Sequence, residues 1–114
     1  MKVAVIGSRT FKDTQLLESI LTEYKTKITC IISGGANGAD QLAEAWANNN
    51  DIVTMIFKPD WKMHGRAAGV IRNQDIIQNC DICIAFWDGT SKGTSNSISL
   101  CKKYNKPVTI INFK

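Results

Sequence analysis

Two glycine-rich segments in this sequence have the composition of an anion-binding turn. The first covers residues 33–40, Ser-Gly-Gly-Ala-Asn-Gly-Ala-Asp, and the second covers residues 89–96, Gly-Thr-Ser-Lys-Gly-Thr-Ser-Asn. Glycine lets the backbone approach a ligand closely, and the unpaired amides at the start of a following helix attract phosphate or carboxylate. The first spacing is neither a dinucleotide fingerprint nor a Walker A loop. Both segments predict phosphate-binding turns, although each also fits an ordinary capped turn before a helix.

Two arginines are candidates for gripping the charge of such a ligand. Arg9 follows the first apolar run, and Arg72 begins an Arg-Asn pair inside a segment of helical period. A guanidinium pairs with phosphate or carboxylate through two parallel hydrogen bonds, whereas a lysine acts as a point charge. Trp61 and Trp87 add aromatic rings on which a base could stack, and packing at the core or rim explains them equally well.

Other reactive side chains give weaker signals. His64 is the single histidine and has no second metal ligand at helical spacing, so neither a zinc site nor a catalytic triad is predicted. Cys80 and Cys83 have C-x-x-C spacing but enter an apolar run, which favours packing over redox chemistry. We expect the four cysteines to be reduced and mostly buried, and we expect no metal and no cofactor.

The elements that position these residues alternate strictly along the chain. Strand-like apolar runs cover residues 2–6, 28–32, 52–57, 82–86 and 108–111, and helical periodicity covers residues 14–24, 39–48, 66–79 and 94–104. Buried strands separated by helices require a parallel sheet with crossovers. The sequence therefore predicts a Rossmann-like α/β three-layer sandwich of about five parallel strands with helices on both faces.

The carboxyl ends of these strands are the expected site of ligand binding, because open α/β sheets bind ligands there. The residues that follow the first four strands are small, polar or cationic, and they cover residues 7–10, 33–36, 58–61 and 87–89. The one long connection, residues 58–65, is expected to be a loop that helps to cover the site.

Composition limits the class of protein. The chain has 114 residues, 44% hydrophobic and 21% charged, which predicts a single domain over residues 1–114. Its apolar runs are too short to span a bilayer and no signal peptide is recognisable, so we expect a cytoplasmic protein without a membrane partner. The net charge of +4 favours anionic partners, but the lysines are scattered, which makes nucleic acid the less favoured partner.

The motifs together resemble a known family. They are Gly7-Ser8-Arg9-Thr10-Phe11, Ser33-Gly34-Gly35-Ala36 with Gly38 and Asp40, Asp60-Trp61, Ala68-Gly69 with Arg72-Asn73, and Phe86-Trp87-Asp88-Gly89 with Gly93-Thr94. This series resembles the YspA-like branch of the SLOG superfamily, a Rossmann-like group that includes the core of DNA-processing protein A and the Lonely Guy phosphoribohydrolases. The resemblance covers nearly the whole chain and implies a nucleotide or nucleotide derivative bound across the carboxyl edge of the sheet.

Strand ends, glycine segments and resemblance together give a set of expected ligand-binding residues. They are Gly7, Ser8, Arg9, Ser33, Gly34, Gly35, Asp40, Trp61, Arg72, Asn73, Trp87, Asp88, Gly89, Gly93 and Thr94. The Lonely Guy enzymes carry a catalytic glutamate three residues after the motif threonine, and here that position is Ser97, which cannot supply a carboxylate. Asp40, Asp60, Asp88 and Arg72 remain as catalytic candidates, and no catalytic residue is assigned.

Three functions follow from these observations. The first is a small sensor or sequestering domain for a phosphorylated nucleoside, a signalling nucleotide or an ADP-ribose-like molecule. The second is a nucleoside 5′-monophosphate phosphoribohydrolase that cleaves the N-glycosidic bond, and the third is a single-stranded nucleic-acid binder. A homo-oligomer fits the resemblance but has no exposed stripe in the sequence to support it.

Overall fold

The computed structural model describes residues 1–113, which form one sheet with helices on both of its faces. In chain order the elements are β1 (Lys2–Gly7), α1 (Thr14–Tyr24), β2 (Cys30–Ser33), α2 (Ala39–Asn49), β3 (Val53–Ile56), α3 (Trp61–His64), α4 (Ala68–Asn79), β4 (Ile82–Trp87), α5 (Lys92–Lys103) and β5 (Val108–Asn112). Short 3-10 turns, Lys25–Lys27 and Gly65–Ala67, follow α1 and α3.

The five strands are parallel and lie in the order β3-β2-β1-β4-β5. The central strand β1 pairs with β2 on one side and β4 on the other, and Val3 lies opposite both Ile31 and Ile82. The chain therefore adds β2 and β3 on one side of β1, and then crosses back to add β4 and β5 on the other side. This reversal places a crevice at the carboxyl ends of β1 and β4.

Side chains alternate between the two faces of the sheet, which separates the core into two clusters. Val3 and Val5 of β1 pack with α1 and α2, whereas Ala4 and Ile6 pack with α4 and α5. The predicted α/β architecture of five parallel strands between two helical layers is confirmed. The four cysteines are free and buried, as predicted, and all of them lie in the second cluster.

The connection after β3 differs from the prediction. Residues 58–65 were expected to form a loop, but Trp61–His64 forms the short helix α3, and α4 begins at Ala68 rather than at residue 66. The side chain of Asp60 accepts a hydrogen bond from the Met63 amide and so caps α3. A helix of one turn leaves too little periodicity for sequence analysis to detect.

Strand β3 also departs from the expectation that the apolar runs are buried. Val53 is 67% exposed and Ile56 is 43% exposed, because β3 is an edge strand with a single hydrogen-bonded neighbour, β2. Hydrophobic character predicted a strand here correctly, but burial depends on the position of that strand in the sheet. Within residues 1–113, none of the helices is both long and apolar enough to cross a membrane.

Gly38, which precedes α2, holds the first glycine segment against the loop after β1. Its φ is +85°, and a Cβ atom built there would lie 2.5 Å from the carbonyl oxygen of Ser8 and 2.9 Å from that of Arg9. Only glycine fits this close approach of two backbone segments without displacing one of them. The contact therefore fixes the distance between the β1–α1 loop and the start of α2.

Gly38→Ala is expected to destabilise the protein by about 2 to 4 kcal/mol, because it combines an unfavourable φ with a backbone clash. Gly89→Ala is the matched control, since Gly89 has a φ of +87° but has no atom within 4 Å of the added Cβ. Urea unfolding should give a clearly smaller loss for Gly89→Ala, and equal losses would contradict the role of the close contact.

Candidate functional site

A cavity of about 400 Å³ opens at the carboxyl ends of β1 and β4, in the crevice created by the reversal of strand order. Its walls come from the β1–α1 loop, the starts of α2 and α5, and one face of α4. The lining residues are Ile6, Gly7, Ser8, Arg9, Thr10, Ala36, Asp40, Arg72, Asn73, Ile76, Asp88, Ser91, Gly93, Thr94 and Ser97.

The β1–α1 loop is anchored to the carboxyl end of β4. The Ser8 amide donates to the Phe86 carbonyl at 2.9 Å, and the Ser8 hydroxyl accepts from the Asp88 amide at 3.2 Å. Phe11 is buried, with its ring centroid 4.6 Å from that of Phe86. With the backbone fixed in this way, the exposed side chain of Arg9 stands at the rim of the cavity.

Asp40 is a buried carboxylate in the first turn of α2. Its Oδ2 atom accepts hydrogen bonds from the Gly34 amide at 2.9 Å and the Ala36 amide at 3.3 Å. Burial raises the pKa of Asp40 from 3.8 to about 6, while the two amides and the nearby Arg72 charge act in the opposite direction. The carboxylate is therefore both a wall of the cavity and the internal partner of the glycine-rich turn.

This arrangement corrects one expectation about the first glycine segment. Its amides were expected to be free for a phosphate, but those of Gly34 and Ala36 bind Asp40, and the Gly35 amide donates to the Ser33 hydroxyl at 3.2 Å. The amides of Gly34, Gly35 and Ala36 thus already have partners within the protein. Its contribution to the cavity is a fixed shape rather than a set of open amides.

Arg72 of α4 is held in place from two sides. Its Nη1 donates to the Gly34 carbonyl at 2.8 Å, and its Nε donates to Asn73 Oδ1 at 3.0 Å. Burial lowers the pKa of Arg72, the Asp40 charge raises it, and the positive charge of Arg9 lowers it further. Two guanidinium groups therefore influence each other across one cavity, and an anion between them would relieve their repulsion.

The start of α5 supplies the hydrogen-bond donors that the first segment lacks. No side chain caps this helix, and Gly93 has open space beside it. The Ser91 and Thr94 hydroxyls lie 3.3 Å apart, and Thr94 and Ser97 are buried in the wall of the cavity. Unpaired amides, the positive end of the helix dipole and hydroxyl groups converge here, which is the chemistry that binds phosphate.

Asp88 shapes the approach to α5. Its Oδ1 accepts from the Thr90 amide at 2.9 Å and from the Ser91 amide at 2.8 Å, and these bonds lower the pKa of Asp88. Two amides of the second glycine segment, those of Thr90 and Ser91, thus bind Asp88, while the start of the helix itself has no side-chain cap.

The cavity brings together nine of the fifteen expected ligand-binding residues: Gly7, Ser8, Arg9, Asp40, Arg72, Asn73, Asp88, Gly93 and Thr94. The other six expected residues lie outside the lining: Ser33, Gly34, Gly35, Trp61, Trp87 and Gly89. The catalytic candidate Asp60 is also outside it. Lining residues absent from the expected set are Ile6, Thr10, Ala36, Ile76, Ser91 and Ser97. Helical spacing could have indicated Ile76, which follows Arg72 by one turn of α4.

The two tryptophans lie away from the cavity wall. Trp61 is 59% exposed on α3, and the indole nitrogen of Trp87 donates to the Ser91 carbonyl at 3.1 Å. Trp87 therefore supports the turn before α5. Within residues 1–113, the lining of the cavity contains no aromatic side chain, and no group of three or more metal-ligating side chains could hold a metal ion.

Fold and cavity together define a Rossmann-like domain with a ligand crevice at the point where the strand order reverses. The chain belongs to the YspA, cpYpsA-related SLOG family, whose model matches residues 1–64. Gene 61 protein of Mycobacterium phage D29 is 32% identical over 121 residues, covering 98% of this chain and 95% of the phage protein.

Two solved structures share the fold. DNA processing protein A from Helicobacter pylori, described for its single-stranded DNA binding mode, has 23% identity and a TM-score of 0.80, covering 100% of this chain and 66% of the other. The Streptococcus pneumoniae protein has 19% identity and a TM-score of 0.84, covering 99% of this chain and 50% of the other. This chain thus spans half to about two thirds of those proteins, and the likeness shows the fold alone.

Asp40→Asn should change the pH dependence of stability. Because the pKa of Asp40 is about 6 in the folded state and 3.8 in the reference state, folding favours the protonated carboxyl. This contribution, on the order of 3 kcal/mol, is present below about pH 4 and is lost as the pH rises through about 6.

Urea unfolding at a series of pH values measures this effect. The stability of the wild-type protein should fall relative to that of Asp40→Asn between about pH 4 and pH 7. A difference between the two proteins that stays constant with pH would show that the carboxyl titrates alike in the folded and unfolded states.

Proposed function

We propose that this protein binds a phosphorylated nucleoside in the 400 Å³ cavity and acts as a sensor or a sequestering domain for it. The observation that carries the proposal is the convergence of Arg9, Arg72 and the uncapped start of α5 on one cavity. Cations and free helix amides on several walls favour a ligand with concentrated negative charge, and the volume lies in the range of small-molecule sites.

In this proposal the phosphate lies at the start of α5. The Thr94 hydroxyl and the amides of the first helical turn bind its oxygens, and the guanidinium groups balance its charge. Arg72 is already fixed by Gly34 and Asn73, so its ordering costs little when the ligand binds. Arg9 is exposed, so its side chain loses more conformational freedom than that of Arg72 when the ligand binds.

Binding without hydrolysis is favoured by Ser97, which stands at the glutamate position of the phosphoribohydrolases. Asp40 and Asp88 each accept two backbone amides, and Asp60 caps α3 outside the cavity lining. Ser97 lines the cavity at the position where the phosphoribohydrolases have glutamate. A nucleotide whose phosphate lies at the start of α5 therefore meets a hydroxyl at the position where those enzymes have the carboxylate that stabilises a cationic sugar or activates water.

Arg9→Ala should weaken nucleotide binding by about 10- to 100-fold, because a charge-assisted hydrogen bond contributes roughly 1.5 to 3 kcal/mol. Isothermal titration calorimetry with the 5′-monophosphates of the four ribonucleosides measures this loss. Arg66→Ala is the matched control, since Arg66 is also exposed but does not line the cavity. Equal losses of affinity in the two variants would show that the effect comes from net charge and not from a contact in the cavity. Absence of nucleotide binding by the wild type would refute the proposal.

A second candidate function is the binding of single-stranded DNA. It is favoured by the fold shared with DNA processing protein A, which is described as binding single-stranded DNA. A strand that contacts the protein through several phosphates releases several counterions, so its affinity falls steeply with salt. A mononucleotide in one cavity releases fewer.

Fluorescence anisotropy with a labelled oligo-dT strand at several salt concentrations separates the two functions. The nucleotide-binding proposal predicts weak binding of the strand and a slope of log Kd against log salt of about 1 to 2. Tight binding with a slope of about 4 or more would favour the nucleic-acid function instead.

A further inference from the structure

A second cavity, of about 320 Å³, lies on the other side of the β1–α1 loop, between that loop and the start of α2. It is lined by Arg9, Phe11, Lys12, Asn37, Gly38, Gln41 and Leu42. Arg9 lines both cavities, so the two are neighbours that meet at this residue. The close packing of Gly38 against the Ser8 and Arg9 carbonyls keeps the loop in this dividing position.

The chemistry of the second cavity differs from that of the first. Its charged residues, Arg9 and Lys12, are both cations, and no carboxylate lines it. The exposed amides of Asn37 and Gln41 can donate to and accept from the edge of a base, as such amides do with adenine in nucleic acids. Leu42, which is half-buried, supplies apolar surface, whereas the ring of Phe11 is buried in the core against Phe86. The edge of a base and a phosphate each have a polar partner here, and Leu42 offers apolar contact.

We propose that the second cavity is a second nucleoside subsite, and that the preferred ligand has two nucleoside units joined by a phosphate bridge. One unit lies in each cavity and the bridge passes Arg9, whose guanidinium is the one charged group common to the two linings. This inference rests on the proposed function, because it extends the ligand of the first cavity. The bridge is either a 3′–5′ phosphodiester, which carries one negative charge, or a 5′–5′ pyrophosphate, which carries two, and both place an ionised phosphate at Arg9.

Calorimetric titration of the wild-type protein with three adenine probes tests the inference. The probes are AMP, the 5′-phosphorylated dinucleotide pApA and diadenosine 5′,5′-diphosphate, and the guanine, cytosine and uracil counterparts are titrated in parallel. At least one bridged ligand should bind about 10-fold or more tightly than its mononucleotide, since it gains charge-assisted and base-edge contacts. Which bridge gives the gain distinguishes the phosphodiester from the pyrophosphate.

The double variant Lys12→Ala, Gln41→Ala locates the gain. Its affinity for the bridged ligand should fall to about the level of the mononucleotide, while mononucleotide affinity stays within about twofold of the wild type, because neither residue lines the first cavity. The control Lys62→Ala, Gln78→Ala removes the same two side-chain types from exposed positions outside both cavities and should leave both affinities unchanged.

The possible failures are distinguishable. If mononucleotides bind and bridged ligands gain nothing, or if the control variant loses as much affinity as the test variant, the second subsite is refuted and the proposed function stands. If no nucleotide of either kind binds, both are refuted.

Discussion

The buried carboxylate of Asp40 is the interaction on which the geometry of the site depends. It turns the backbone after β2 inward by binding the Gly34 and Ala36 amides, and this directs the Gly34 carbonyl toward Arg72. Arg72 in turn binds Asn73, whose amide donates to Asn96 of α5 at 3.2 Å. One continuous series of hydrogen bonds therefore links α2, α4 and α5 around the cavity, across both layers of helices.

Burying such a series of polar and charged groups costs free energy of solvation, and this cost appears in the pKa values of Asp40 and Arg72. Desolvation raises the pKa of Asp40 and lowers that of Arg72, so each group is less stable in its charged form than it would be in water. Backbone amides and the opposite charge compensate only in part. A domain of this size keeps such an arrangement where position matters more than stability, which is typical of ligand sites.

Sequence analysis correctly predicted the elements of secondary structure that depend on local sequence pattern. The run 82–86 predicted β4 because apolar character persists on both faces of a central strand, and α1 was predicted with the bounds that the structure shows. The hydrogen-bond partner of the Gly34 amide was not predictable, because both Asp40 and a ligand could accept from it. The turn is also held by Arg72, which is 38 residues away in the sequence. Likewise, the exposure of Val53 follows from strand order, which no local pattern encodes.

The uneven distribution of cysteine has a consequence for how this molecule opens. Cys30, Cys80, Cys83 and Cys101 all belong to the cluster beneath α4 and α5, and the cluster beneath α1 and α2 contains none. Alkylation of these sulfurs therefore reports on opening on the side of α4 and α5, whereas the cluster beneath α1 and α2 carries no thiol to react. The rate of alkylation therefore measures how often the protein opens on this side of the sheet, which also carries Arg72 and the uncapped start of α5.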